Sequence, residues 1–130
     1  MRVEGAPPFL RAEWHEEARV LEVAYEREAV LDDAMADETI GWLDAFREAH
    51  GGRFGLLVDA ERVRDASFSY RQRFGAWFRA HASEVRMAIY HLTPFVRVMT
   101  ILFAKATALD VFIARDREEA MRWLQATTRA

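Results

Sequence analysis

The chain contains no cysteine. Disulfides, thiolate metal sites and cysteine nucleophiles are thereby excluded together. It also has no apolar run near the ~20 residues that a membrane span needs; the longest, "TILFA" at 100–104, is far shorter. The beginning, "MRVEGAPPFLRAEWHEE", lacks the apolar stretch of a secretory signal, which predicts a cytoplasmic protein. Nothing repeats, and no low-complexity linker divides the chain, so residues 1–130 are expected to form one domain with a loose lead over 1–8, marked by Gly5 and Pro7-Pro8.

Reactive motifs are scarce as well. "HGGRFG" at 50–55 precedes a predicted strand instead of joining a strand to a helix, so it is not a phosphate loop. No Gly-x-Ser-x-Gly elbow occurs. None of the four histidines, His15, His50, His81 and His91, pairs with another histidine at i+3 or i+4 in the manner of a helical metal site, and no metal or cofactor is expected. Asp37 and Glu38 read as carboxylates of a first helical turn, where they meet the positive end of the helix dipole. Together these exclusions predict a protein that is not an enzyme.

What is present is a globular composition, with 52% hydrophobic and 30% charged residues in 15.1 kDa. Charge is unevenly placed: residues 1–50 hold 5 basic and 13 acidic side chains, a net of -8, while 51–130 hold 13 and 8, a net of +5. This reads as solvated helix faces. Of the 18 basic residues 17 are arginine, yet the pI of about 5.8 lies far from the basic values of nucleic-acid binders, so no nucleic-acid partner is expected.

Periodicity supplies the elements. Phe9–Trp14 and Arg19–Tyr25 alternate across a polar turn and predict an antiparallel hairpin. A helix over about Ala34 to Ala49 follows, with Met35, Thr39, Trp42, Leu43 and Phe46 on one face. Asp32 or Asp33 starts it and Gly51-Gly52 stops it. "RFGLLVD" is a continuous apolar run, as in a strand covered on both faces. The second helix runs from about Ser67 to Ala82 with Tyr70, Phe74, Trp77, Phe78 and His81 in register. "VRMAIYH", a third helix opened by Thr93-Pro94 and running to about Ala106, the strand "LDVFI" and a helix in "RDREEAMRWLQ" complete the order ββαβαβαβα. Asp116 and Glu119 have capping-box spacing at the last helix. The fold class is α/β, a mainly parallel five-stranded sheet with an antiparallel hairpin and about four helices.

Two features carry functional content. The third helix has an apolar stripe of Phe95, Val98, Met99, Leu102, Phe103 and Ala106, with Val96, Ile101 and Ala104 outside it, so its polar face is short. That excess fits deep burial, a protein partner or second copy of the chain, or an apolar ligand in a cavity bounded by Phe74, Trp77, Phe78, Phe95 and Phe103. The turn "RDAS" sets Ser67 at the start of the second helix, either as its N-cap or as a chemical handle.

The element order, the central "LLVD", the turn "RDAS" before a helix and the closing "REEAMRWL" resemble the SpoIIAA-like, STAS/SEC14-type domains of bacteria, over roughly Phe9 to Gln125. The resemblance implies a small non-enzymatic regulatory or protein-interaction module. In related anti-sigma-factor antagonists a serine before helix 2, in the pattern Asp-Ser-Ser-Gly, is phosphorylated. Asp65 and Ser67 match that pattern, whereas Ala66 replaces its first serine and Phe68 its glycine. Ser67 is therefore the candidate phosphoacceptor. Phe68, Phe74, Trp77, Phe78, Phe95, Met99, Leu102 and Phe103 are the candidate partner or ligand surface. Distantly similar lipid-transfer domains hold an apolar ligand under a mobile helix, which is the alternative the resemblance implies for the region between helices 2 and 3.

Overall fold

A computed structural model describes residues 1–128. The hairpin forms as its alternation predicts: β1 (Leu10–His15) pairs antiparallel with β2 (Val20–Tyr25), setting Trp14 opposite Leu21. Arg19, in the turn between them, has a left-handed φ of 54°, unfavourable for a residue with a Cβ. Its side chain holds the turn in place, lying 5.4 Å over the Trp14 ring and donating from Nε to the Arg53 carbonyl at 2.7 Å.

The chain continues through β3 (Ala29–Leu31), α1 (Asp33–His50), β4 (Phe54–Asp59), β5 (Val63–Ala66), α2 (Phe68–Ala80), β6 (Val85–Tyr90), α3 (Pro94–Thr107), β7 (Val111–Ile113) and α4 (Arg117–Thr128). The main sheet has the order β1-β2-β4-β6-β7, and every pair beyond the hairpin is parallel. This is the predicted mixed five-stranded sheet with its antiparallel edge. Residues 1–8, the expected loose lead, are hydrogen-bonded to β1, with Val3 N–H to Ala12 O at 3.0 Å, Trp14 N–H to Met1 O at 2.8 Å and Leu10 N–H to Pro7 O at 2.9 Å among the bonds.

Side-chain alternation divides the core in two. Leu21, Val23, Phe54, Leu56, Val85 and Met87 point to the face carrying α1 and α2, where they meet Leu43, Phe46, Trp77 and Phe78. Val20, Leu57, Ala88 and Tyr90 point to the opposite face, under α4. There Gly55 admits Leu124, whose Cδ2 would lie 3.0 Å from any Cβ placed on that glycine.

The helix starts follow their capping chemistry. Asp32 accepts from Met35 N–H at 3.0 Å, and Thr93 caps α3 ahead of Pro94. Asp116 accepts from Glu119 N–H at 2.9 Å, while Glu119 accepts from the Arg115 N–H, one residue before the partner that a capping box uses. Asp37 departs from expectation: it lies past the first turn of α1 and takes Arg73 of α2 in a two-pronged ion pair at 2.6 Å.

The short strands β3 and β5 were not foreseen. They pair parallel in a second, two-stranded sheet with a register shift between Ala29 and Val30. Three or four residues are too few for alternation to show. Their buried members, Leu31 and Val63, join Leu10, Tyr25, Ala60 and Val96 in a third apolar cluster at the end of the main sheet.

Candidate functional site

That third cluster borders a cavity of about 140 Å³. Its floor is the sheet, through residues such as Val58 and Ile89, and its walls come from α1, α2 and α3. α2 contributes Tyr70, Arg71, Phe74 and Phe78, and α3 contributes Val96, Met99, Thr100 and Phe103. The helices close on it at Gly75, where an added Cβ would stand 2.8 Å from Phe103 Cζ. Glycine is what lets the Phe103 ring reach α2.

Few polar atoms line the cavity. The Tyr25 and Tyr70 hydroxyls face each other at 3.5 Å, and burial raises the pKa of both, so both remain neutral phenols. Arg71 Nε is cut off from solvent and has no hydrogen-bond partner among the described residues. The guanidinium lies 5.8 Å from the centre of the Phe68 ring, which is itself exposed.

α3 is phased differently from the predicted stripe. Val96, placed outside that stripe by its sequence pattern, is the buried residue of α3 at 6% exposure, whereas Phe95, Val98 and Leu102 are 59%, 56% and 62% exposed. The inward face is rotated by about a quarter turn, the 100° step of a single residue. Two threonines make that phase tolerable. Thr100 Oγ1 donates to Val96 O at 2.8 Å and Thr107 Oγ1 to Phe103 O at 2.7 Å, so their hydroxyls are satisfied within the helix. Phe95, Val98 and Leu102, spaced i, i+3 and i+7, form an apolar row on the outer face.

No protein-family model and no curated protein matches this chain. Solved structures do match, among them the following two. A serine-to-glutamate variant of Moorella thermoacetica RsbS superposes with a TM-score of 0.66 at 14% identity, covering 98% of this chain and 100% of that one. An uncharacterised DUF3478-family protein from Shewanella loihica PV-4, described as having a SpoIIAA-like fold, superposes at 0.64 and 15% identity, covering 88% and 91%. The fold is SpoIIAA-like. No helix among the described residues of this SpoIIAA-like domain is long and apolar enough to cross a membrane.

The predicted surface residues of the SpoIIAA-like domain separate into three groups. Phe74, Phe78, Met99 and Phe103 line the cavity. Phe68, Phe95 and Leu102 are exposed. Trp77 does neither: it is buried between α1 and α2, with Nε1 donating to Asp44 at 2.8 Å. At the turn, Ser67 Oγ accepts from Tyr70 N–H at 3.0 Å and donates towards Asp33 at 3.5 Å, so the hydroxyl serves as the α2 cap. Asp65 accepts from Ala66 N–H at 2.7 Å.

A polar constellation on the α4 face was not anticipated. Glu22 of β2 accepts from Arg117 through both oxygens, at 2.7 and 2.8 Å, and meets His15 Nε2 at 2.9 Å and the Tyr90 hydroxyl at 3.3 Å. Arg117, opposed by partial burial and helped by His15, holds the Glu22 carboxyl at about 2, down from its ordinary 4.5. Burial first, then the Asp59 and Glu22 carboxylates, raise the Tyr90 pKa against the opposing charge of Arg117. Glu13, His15 and Glu22 lie close enough to share a cation, as do Asp59, Glu61 and His91. Glu22 is already taken by Arg117, and His91 Nδ1 lies 3.2 Å from Asp59. Glu22 and Arg117 are 95 residues apart, and neither belongs to a local motif that would have revealed them.

Proposed function

We propose that this SpoIIAA-like domain works by binding, with a protein partner on the outer face of α3. The observation that carries this reading is the row Phe95, Val98 and Leu102, more than half exposed on a helix with only Arg97 and Lys105 charged. Apolar side chains grouped on one helix face are what a partner surface requires. The likeness to RsbS in fold supports an interaction module without identifying its partner.

The reading predicts that Val98→Glu with Leu102→Lys leaves folding stability within about 0.5 kcal/mol, as expected of surface positions, and abolishes association. The measurement is affinity capture from the source cells, read side by side for native protein and double variant, with sedimentation velocity to detect a second copy as the occupant. Identical captured proteins and identical sedimentation for both would refute the use of this face.

A second reading is favoured by the cavity. A hollow of about 140 Å³ walled by Phe74, Met99, Val96 and Phe103 is comparable to engineered apolar cavities of ~150 Å³ that take up benzene. On this reading the domain holds a small, mainly apolar molecule between the sheet and α3. Native mass spectrometry of gently purified protein is expected to show an adduct that organic solvent removes.

A further inference from the structure

The cavity differs from a plain apolar void at one place, its rim at α2. Arg71 lines it, and Arg71 Nε is shielded from water and unpartnered. Several other arginines are paired with carboxylates: Arg73 on the same helix with Asp37 and Asp33, Arg86 with Asp110, and Arg117 with Glu22. Arg71 has no carboxylate partner among the described residues, and its guanidinium meets the Phe68 ring instead. A buried donor left without an acceptor costs more than a made hydrogen bond returns, so this position calls for an acceptor from outside the chain.

The surroundings narrow the acceptor to a singly charged anion. The first turn of α2 has no acidic residue, and the free N–H groups of a helix start favour negative charge. The neutral Tyr25 and Tyr70 hydroxyls line the same hollow and can donate. A doubly charged phosphate fits less well, because Asp33 lies 3.5 Å from the Ser67 hydroxyl at that same helix start and Arg71 is a single cation. A carboxylate matches the guanidinium fork with two parallel hydrogen bonds.

We propose that the cavity takes a small monocarboxylic acid, its apolar body of about five to seven non-hydrogen atoms filling the hollow and its carboxylate meeting Arg71 at the rim. This rests on the cavity reading above and adds the chemistry of the headgroup. The charged end stays near the exposed Phe68, while the tail passes between Phe74 and Met99 towards the sheet.

The test uses hexanoate and its neutral counterpart hexanamide, titrated calorimetrically into the full chain. Native protein is expected to bind hexanoate at least about ten-fold tighter than hexanamide, the scale of one charge-assisted pairing gained or lost. Arg71→Met, which keeps the apolar stem, is expected to make the two ligands equal by weakening hexanoate alone, and Arg71→Lys to restore part of the difference. Ala104→Leu, which adds bulk to the α3 wall, is expected to weaken both ligands together. Thermal melts of each variant establish that it is folded. Equal binding of hexanoate and hexanamide to native protein, both sensitive to Ala104→Leu, overturns the carboxylate assignment and leaves the cavity reading standing. No binding of either ligand, or binding indifferent to Ala104→Leu, overturns both.

Discussion

α3 and α4 begin alike, with a capped first turn, yet α4 packs on β4 and β6 of the main sheet while α3 meets β5 of the small one, and their compositions and burials run in opposite senses. α4 has four charged residues in twelve positions, and its Ala120 and Leu124 are fully buried. α3 has two charged residues in fourteen, and Val96 alone is buried within it. What α4 has and α3 lacks is a flat, complementary seat: Leu57 and Ala88 of the sheet, with Gly55 leaving room for Leu124. α3 instead spans a cavity, touching the core through Val96, Met99 and Phe103 at its edge. Burial is set by the surface a helix meets, and a helix that is apolar on several sides can still lie outside the core.

The contrast is open to direct test. Leu124→Ala is expected to cost about 3–4 kcal/mol in urea unfolding, against less than about 0.5 kcal/mol for Leu102→Ala; comparable losses would mean that α3 is as firmly seated as α4. The glycines under the two helices give the next largest difference. Gly55→Ala forces a Cβ against the buried Leu124 and is expected to cost about 1–3 kcal/mol. Gly75→Ala meets only the far end of Phe103, and the gain in helix propensity of about 1 kcal/mol offsets the crowding, so a near-neutral change is expected in the same assay.

The smallest effect concerns how α4 is pinned at its start. Glu22→Gln removes the carboxylate that grips Arg117 and is expected to cost about 1 kcal/mol at neutral pH, since Arg117 is half in solvent. The sign follows from the lowered pKa. The native state keeps Glu22 ionised to about 2 while the unfolded chain takes up its proton near 4.5. Its contribution is therefore complete above pH 4.5 and is lost as pH falls from there towards 2. Over that window the native protein is expected to lose stability more steeply than Glu22→Gln; parallel acid limbs would show the pair to be inconsequential.

Much of the architecture could be read from local pattern. Leu21, Val23 and Tyr25 alternate against Val20, Glu22 and Ala24, and that alternation places two chemistries on two sides of one strand. "GLLVD" lacks alternation because both its faces are covered, and Ser67 and Thr93 cap the helices that follow them. The phase of α3 was not readable in the same way. With Phe95, Val98 and Leu102 competing against Val96, Met99 and Phe103, summed hydrophobicity favours the wrong side, and only the back-bonded hydroxyls of Thr100 and Thr107 reveal which face turns inward. β3 and β5 were too short to register. Of the expected cavity wall, Phe74, Phe78 and Phe103 line the hollow, while Phe95 faces outward with the phase of α3 and Trp77 lies elsewhere because its spacing matches the cavity residues and its indole hydrogen bond to Asp44 is tertiary. The Arg71 position and the Glu22–Arg117 pair depend on the meeting of distant segments, and no window along the chain contains them.

Gly75 bears on more than packing. Because its missing side chain lets Phe103 lean against α2, the cavity-side residues of α3 and its outward row are carried by one rigid rod with a narrow pivot. On the readings proposed above, an occupant that displaces the α3 backbone through Phe103 also shifts Phe95, Val98 and Leu102. The two proposed binding events would then be thermodynamically linked, each altering the affinity of the other by the same factor.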